Sequence, residues 1–97
     1  MNIRWTDGAD RTFQQQTEWL RETRNEAAVT RYFEEVAAAL DKLEKSDSVQ
    51  YQLVHEESGT RRLPVNKTID LYYRLDAGEV ELVTFFHNRQ DPGKLRF

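Results

Sequence analysis

The sequence contains no cysteine, which excludes a disulfide framework and a cysteine-based zinc site. Its longest apolar run, Val36-Ala37-Ala38-Ala39-Leu40, is far shorter than the roughly 20 residues that cross a bilayer. The first residues lack the apolar segment of a secretory signal. His55 and His87 are not spaced like metal ligands, so no metal site is predicted, and no cofactor motif is present. A cytoplasmic protein without a membrane segment is the expectation.

The length of 97 residues is typical of one domain, so a single domain covering residues 1–97 is expected. Charged residues are frequent, but the two signs are distributed unevenly along the chain. Residues 1–60 carry seven Lys or Arg against twelve Asp or Glu, and residues 61–97 carry seven against five. The net charge is −3, so strong nonspecific nucleic-acid binding is not expected, although a local basic patch is compatible with the second half.

Apolar residues at helical spacing predict two consecutive helices after a short strand at Asn2–Trp5. Thr6 or Asp7 is the expected N-cap of the first helix, which runs to about Arg24. Its predicted buried stripe is Ala9, Phe13, Trp19 and Leu20. Asn25 is the expected cap of the second helix, whose stripe is Val29, Tyr32, Phe33, Val36, Leu40 and Leu43.

The last third of the chain changes to the period of two that is typical of strands. Three strands are predicted at residues 62–65, 68–75 and 80–87, and Asp76-Ala77-Gly78-Glu79 has the composition of a hairpin turn. Pro64 favours an edge strand. The alternation of Val49, Tyr51 and Leu53 fits a short strand or an extended covering loop. The order β-α-α-β-β-β predicts an α+β fold, with a helical hairpin on one face of a small antiparallel sheet.

Strict alternation along these strands sorts their side chains onto two faces. One face is apolar and is expected to pack against the helices. It collects Leu63, Val65, Ile69, Leu71, Tyr73, Leu75, Val80, Leu82 and Phe86. The opposite face is expected to be open, and it combines charge with aromatic rings. It collects Arg62, Asp70, Tyr72, Arg74, Glu81, Val83, Phe85 and His87.

Three motifs in this order and spacing carry a family resemblance: Arg61-Arg62-Leu63, Tyr72-Tyr73-Arg74 and the closing His87-Asn88-Arg89-Gln90-Asp91-Pro92. Together with the preceding helical hairpin, they resemble the ParE/RelE superfamily of type II toxin–antitoxin toxins, also called plasmid stabilisation proteins. The resemblance covers nearly the whole chain. It implies a growth-inhibiting toxin that a cognate antitoxin neutralises, with assembly as a homodimer or as a heterotetramer with the antitoxin.

The two branches of the superfamily imply different chemistry. RelE-like toxins cleave messenger RNA on the ribosome, and many carry an Arg just before the Leu-Val-Tyr of the central strand. This sequence has Asp70-Leu71-Tyr72-Tyr73 there, and a carboxylate would repel a scissile phosphate. The chain is therefore more similar to the ParE branch, which acts on DNA gyrase by protein–protein contact and needs no hydrolytic site. A non-toxic binding domain with the same fold is a third alternative.

The candidate site residues follow from these alternatives. A target-binding surface would comprise Arg61, Arg62, Tyr72, Arg74, Phe85, His87 and Arg89. A metal-free ribonuclease would draw its acid, base and phosphate-binding groups from Arg62, Tyr72, Arg74, His87 and Arg89. A structural role competes with both readings. Arg62, Asp70 and Arg74 could form a cross-strand ion network, and Arg89 could pair with Asp91 at the strand end.

Overall fold

The computed structural model describes residues 2–45 and 51–90. Its elements follow the chain in the order β1 (Asn2–Trp5), α1 (Asp7–Thr23), α2 (Glu26–Lys45), β2 (Gln52–His55), β3 (Thr60–Pro64), β4 (Ile69–Asp76) and β5 (Glu79–His87). The predicted α+β class and helical hairpin are confirmed. Val49, the Asp91-Pro92 break and the expected Arg89–Asp91 ion pair lie outside the described residues. In the part described, no helix is both long and apolar enough to cross a membrane.

The five strands form one sheet in the order β1-β5-β4-β3-β2. The sheet is mixed rather than antiparallel throughout, because β1 pairs parallel to β5 while the other neighbours are antiparallel. Parallel partners need a long connection, and here the helical hairpin and strands β2 to β4 all lie between β1 and β5 in the chain. The expectation that β3 is an edge strand is wrong, since β2 lies outside it. Pro64 is tolerated because the β2 pairing ends at Arg62.

Both predicted helix caps are present. The Thr6 hydroxyl accepts a hydrogen bond from the Ala9 backbone N–H at 3.1 Å and donates to the Leu82 carbonyl at 2.7 Å. The start of α1 is thereby fixed to β5. The Asn25 side-chain oxygen accepts from the Ala28 N–H at 2.9 Å at the start of α2. Each cap satisfies a backbone donor that would otherwise lack a partner.

The core lies between the helical hairpin and one face of the sheet. From α2 it takes Val29, Tyr32, Val36, Ala39 and Leu43, and from the strands it takes Leu63, Ile69, Leu71, Tyr73, Val80, Leu82 and Phe85. The prediction that Trp19 and Phe33 are buried is wrong, since they are 45% and 43% exposed.

The hairpin between β4 and β5 forms through the predicted turn. Ala77 and Gly78 have φ of 51° and 81°, and Asp76 pairs with Glu79 across them. Two central residues with positive φ are the geometry of the two-residue hairpin turn whose twist matches the strands. This local feature aligns β5 with β4 at the turn end of the ladder.

A β-bulge then interrupts the alternation of β5. Tyr73 lies opposite Leu82, but Tyr72 lies opposite Thr84, so Val83 is an extra residue. One inserted residue turns every later side chain of the strand to the other face. The pairing beyond the bulge therefore reverses the faces that strict alternation predicts.

The assignment of the residues after the bulge changes accordingly. Phe85 is not on the open face; it is 4% exposed, with its ring centroid 5.6 Å from those of both Trp5 and Phe13. His87 also faces the helices, with its ring 6.4 Å from that of Trp19. Phe86, predicted for the core face, instead lies on the open face, 6.3 Å from the ring of Tyr72.

Candidate functional site

The open face is the side of the sheet turned away from the helices, and side chains from β3, β4 and β5 form it. Arg62 lies opposite Tyr72, Asp70 opposite Phe86, and Arg74 opposite Glu81. Directly opposite residues share a face in an antiparallel pair. We define the open face by these side chains: Arg62, Asp70, Tyr72, Arg74, Glu81 and Phe86.

Asp70 is the buried carboxylate of the open face. It is 4% exposed, and one of its oxygens lies 3.9 Å from Arg62 Nη1. Burial raises the pKa of the Asp70 carboxyl above its ordinary value, while the Arg62 charge and a hydrogen bond from the Asn88 side chain oppose that change. An acidic group therefore occupies the centre of the face, where a phosphate would need positive charge.

Tyr72 lies beside this carboxylate and is 6% exposed. Burial and the negative charge of Asp70 both raise the pKa of the Tyr72 phenol, and the guanidinium of Arg62, which hydrogen-bonds to it, acts in the opposite direction. The phenol therefore stays protonated at neutral pH. It can donate a hydrogen bond, but it cannot serve as a general base there.

Arg74 is held in an ion pair with Glu81 across the hairpin, and Arg4 binds the same carboxylate at 2.5 Å. The hydrogen bond from Arg74 is the main reason that the pKa of Glu81 lies below its ordinary value. The predicted cross-strand ion network is thus present in altered form. Arg62 pairs with Asp70 and Arg74 with Glu81, as two separate groups.

Arg61 lies on the helix side of the sheet, opposite the buried Tyr73. Its guanidinium donates to the Tyr51 carbonyl at 2.8 Å. Side chains alternate between the two faces of the sheet along β3, so Arg61 points to the helix side while its neighbours Thr60 and Arg62 point to the opposite side. Arg61 and Arg62 are therefore adjacent in sequence but face different sides of the sheet.

His87 and Arg89 lie in a second place, an open groove of about 810 Å³ between α1 and the last part of β5. We call it the α1–β5 groove; the side chains that matter for its chemistry are Arg11, Thr12, Trp19, His87 and Arg89. The groove exists because β1 pairs only with residues 79–82 of β5. Beyond that point α1 takes the place of a neighbouring strand.

Thr12 connects α1 to this unpaired strand edge. Its hydroxyl accepts the Phe85 backbone N–H at 2.9 Å and donates to the Gly8 carbonyl at 2.8 Å. Gly8 permits the close approach, since a Cβ there would lie 3.0 Å from the Val83 carbonyl oxygen. The His87 Nδ1 accepts the Arg89 backbone N–H at 3.2 Å, which orients the imidazole at the end of the strand.

A smaller cavity of about 260 Å³ continues the groove between the helices and the end of the sheet. Trp19, His87 and Arg89 line both cavities. The smaller one adds Arg24 and Arg31, together with a single carboxylate, Glu35. Apart from Glu35, the charged side chains that line the two cavities are all cationic arginines.

The structure therefore divides the predicted site residues between two regions. Arg62, Tyr72 and Arg74 share the open face, whereas His87 and Arg89 share the α1–β5 groove. Phe85 belongs to the core, although part of it lines the groove. No group of three or more His, Asp or Glu among residues 2–45 and 51–90 is arranged to hold a metal ion.

The groove contains residues that the sequence analysis did not predict as site residues, namely Arg11, Trp19, Arg24 and Arg31. The three arginines are ordinary exposed positions of the helical hairpin, whereas Trp19 was predicted to be buried. One signal was available: Trp19 adjoins Leu20, which is part of the buried stripe. Neighbouring residues in a helix differ by about 100° around its axis, so both cannot be central to that stripe.

Comparison with solved structures identifies the fold. A chromosomal ParDE TA system from P. aeruginosa matches with a TM-score of 0.75 and 12% identity, covering 90% of this chain and 95% of that one. A YoeB/ParE toxin from Agrobacterium tumefaciens matches with a TM-score of 0.61 and 13% identity, covering 90% and 98%. A YoeB–YefM complex from Staphylococcus aureus matches with a TM-score of 0.60 and 12% identity, covering 90% and 97%.

No protein-family model and no curated protein matches the sequence significantly. The likeness is thus one of fold, and it extends over nine-tenths of the chain at low identity. The resemblance expected from the sequence motifs is confirmed at this level. The chain has the fold of the ParE/RelE-superfamily toxins.

Proposed function

We propose that this protein is the toxin of a type II toxin–antitoxin system, acts in the cytoplasm, and is neutralised by a cognate antitoxin. The observation that carries the proposal is the TM-score of 0.75 over 90% of the chain with a ParDE TA system. The YoeB–YefM complex, matched at 0.60, supports the same kind of system. The sequence motifs at Arg61-Arg62-Leu63 and Tyr72-Tyr73-Arg74 add independent support.

Within that class, we propose a ParE-like action on DNA gyrase by protein–protein contact. Metal-free cleavage of RNA needs a base, an acid and a cationic stabiliser around one phosphate. The ribonuclease candidates are divided between the open face and the α1–β5 groove. Arg62 and Arg74 already face the carboxylates of Asp70 and Glu81, which disfavours phosphate binding by either.

The target contact is assigned to the open face. Arg62, Arg74 and Phe86 are partly exposed there, and they combine charge with an aromatic surface. Arginine and aromatic residues are enriched where protein interfaces bind most strongly. Their backbone positions are fixed by the β3–β4 and β4–β5 pairings, so the surface is rigid before it meets a partner.

The test is induction of the protein in growing bacteria without an antitoxin. We expect growth to stop, gyrase–DNA breaks to accumulate and a DNA-damage response to follow. The double variant Arg62→Ala/Arg74→Ala should relieve this inhibition, while Arg21→Ala, which removes an exposed ion pair with Glu26, should not. Cleaved messenger RNA without gyrase breaks would instead establish a RelE-like ribonuclease, and harmless overexpression would indicate a non-toxic binding domain.

A further inference from the structure

Tyr32 carries a buried hydroxyl that the fold leaves without a partner. Its side chain is 2% exposed, and its phenol oxygen forms no hydrogen bond with any other residue of ranges 2–45 and 51–90. Burial raises the pKa of this phenol, so the group stays protonated and can donate a hydrogen bond. An unpaired buried hydroxyl costs free energy, so the fold is more stable when an acceptor occupies the adjoining space.

The adjoining space is the smaller cavity, since Tyr32 is one of the residues that line it. Its volume is about 260 Å³. A single water takes up only about 30 Å³ of the liquid, so the cavity has room for a small organic molecule. Drug-sized ligands occupy cavities from roughly 300 Å³ upward, so the fitting ligand is smaller than these.

Two further side chains that line the smaller cavity have a free donor. Asn66 Oδ1 accepts hydrogen bonds from the Thr68 and Ile69 N–H groups and from the Thr68 hydroxyl, which leaves the amide NH₂ for another partner. His87 Nδ1 accepts the Arg89 backbone N–H, so the neutral imidazole carries its proton on Nε2. Free donors at one cavity favour a ligand rich in acceptor oxygens.

Three guanidinium groups make the smaller cavity cationic: those of Arg24, Arg31 and Arg89. None of them makes an ion pair within the part of the chain that the structure describes. Glu35 is the only carboxylate among the described residues of the lining. Water would satisfy Tyr32 but would leave the positive charge uncompensated, whereas an oxyanion satisfies both.

The donors reach the smaller cavity from separate elements of the fold, which are the end of α1, α2, the β3–β4 connection and the end of β5. In that order they are Arg24, Arg31 with Tyr32, Asn66, and Arg89. A carboxylate accepts hydrogen bonds in one plane, whereas a phosphate directs its oxygens to the corners of a tetrahedron. Donors that surround a space therefore suit a phosphate, which arginine also binds through paired N–H bonds.

Trp19 lines both the smaller cavity and the α1–β5 groove. Its side chain is 45% exposed, and its ring meets that of His87 at 76° with the centroids 6.4 Å apart. Part of the indole is thus open where the two cavities meet. A flat organic group attached to the phosphate can stack there.

From these observations we infer that the smaller cavity binds a small phosphate monoester, with its phosphate on Arg24, Arg31 and the Tyr32 hydroxyl and its organic group against Trp19. At neutral pH such an ester carries close to two negative charges, which the arginines balance. The site lies apart from the open face, and binding there does not depend on growth inhibition.

The experiment is isothermal titration calorimetry of the purified protein with phenyl phosphate. The matched probes are inorganic phosphate, which lacks the ring, and benzyl alcohol, which lacks the charge. We expect phenyl phosphate to bind, inorganic phosphate to bind more weakly, and benzyl alcohol not to bind. Phenyl phosphate should also raise the thermal midpoint and shift the NMR signal of the Trp19 indole N–H, which Trp19→Phe assigns.

Two tyrosine variants separate binding from stability. Tyr32→Phe should weaken phenyl phosphate about fivefold, as expected for one hydrogen bond, while stability without ligand should hold or rise. The matched control is Tyr73→Phe, because Tyr73 is equally buried but hydrogen-bonds to the Tyr51 backbone and does not line the cavity. The control should lose stability and keep its affinity, a crossed result that a purely structural role of Tyr32 would not give.

Two double variants with equal loss of charge test the arginines. Arg24→Gln/Arg31→Gln should weaken phenyl phosphate by about tenfold, as expected when charge-assisted hydrogen bonds are lost. Arg21→Gln/Lys45→Gln removes exposed cations that are paired outside the cavity, and it should leave the affinity within about twofold.

Any of four results would overturn the inference. The first is equal binding of benzyl alcohol and phenyl phosphate, and the second is equal binding of inorganic phosphate, which would remove the organic group from Trp19. The third is unchanged affinity in Tyr32→Phe or in the Arg24/Arg31 double variant. The fourth is binding of a single-stranded oligonucleotide through these arginines without binding of phenyl phosphate, which would assign the cavity to nucleic acid.

Discussion

The bulge in β5 makes a sharp prediction for two adjacent phenylalanines. Phe85 is almost fully buried among Trp5 and Phe13, so Phe85→Ala should cost about 3–5 kcal/mol of unfolding free energy. Phe86 is only partly buried against Tyr72, so Phe86→Ala should lose only part of the free energy of burying a Phe side chain, roughly 1–2 kcal/mol. The difference between the two variants is then about 2 kcal/mol.

Urea denaturation followed by far-UV circular dichroism measures this difference directly. The slope with denaturant should be the same for both variants, because neither changes the surface exposed by unfolding to a large extent. In thermal denaturation, the gap should be roughly 10 °C for a domain of this size. Phe85→Leu and Phe86→Leu serve as milder controls, and the loss of unfolding free energy should again be larger at Phe85. Equal costs, or a larger cost at Phe86, would refute the register and restore strict alternation.

Three further changes test the site from other directions. Thr12→Val removes the hydroxyl that accepts the Phe85 N–H, and leaving that donor without a partner should cost about 1–3 kcal/mol in urea denaturation. Glu81→Gln removes a carboxylate whose pKa is lowered by Arg74, so its stability loss should be present at neutral pH and should fade as the pH falls through the lowered pKa. Asp70→Asn removes a carboxyl whose pKa is raised by burial, so the variant should gain stability relative to the parent as the pH rises through that raised pKa.

Each of these has a result that would count against it. For Thr12, the control is Thr23→Val, whose hydroxyl bonds only to the Trp19 carbonyl on the exposed side of α1; equal costs would mean that the bond to β5 is unimportant. For Glu81, a stability difference that does not change between neutral and acidic pH would contradict the ion-pair account. For Asp70, a variant that loses stability as the pH rises, relative to the parent, would reverse the sign argued from burial.

Much of the fold follows from local patterns in the sequence. The stripe containing Val29, Val36 and Leu43 sets the buried face of α2, and Asn25 marks its start. The Ala77-Gly78 turn fixes the β4–β5 hairpin. These signals depend on residues close together in the chain, so they can be recognised without the tertiary structure.

The bulge and the groove depend on contacts that the sequence does not reveal. From Val83 onward β5 has apolar residues at both parities, so Phe85 and Phe86 were equally suited to the core. The choice of which phenylalanine faces the helices depends on one extra residue, Val83. It also depends on the Thr12 hydroxyl, which lies more than seventy positions earlier in the chain and accepts the Phe85 N–H. The parallel pairing of β1 with β5 likewise joins residues from opposite ends of the described chain. It leaves the strand edge open where the groove forms.

The candidate site shows the same division. The cation and aromatic character of Arg62, Tyr72 and Arg74 on one face was predicted from alternation, and the structure places them there. Which arginines are neutralised could not be predicted, because Arg74 pairs with Glu81 across the hairpin whereas Arg89 has no such partner among the described residues. The sequence shows which side chains are charged, but only the fold shows which of them have an ion-pair partner.

The most direct test of the proposed function uses purified protein and DNA gyrase. Relaxed plasmid, gyrase and ATP are combined with increasing amounts of the protein, and supercoiled and linear products are separated on a gel. We expect supercoiling to fall and gyrase-linked breaks to rise, with Arg62→Ala/Arg74→Ala less effective and Arg21→Ala unchanged. Unaltered supercoiling at concentrations where the protein is folded, with no gyrase-linked breaks, would contradict the ParE-like assignment.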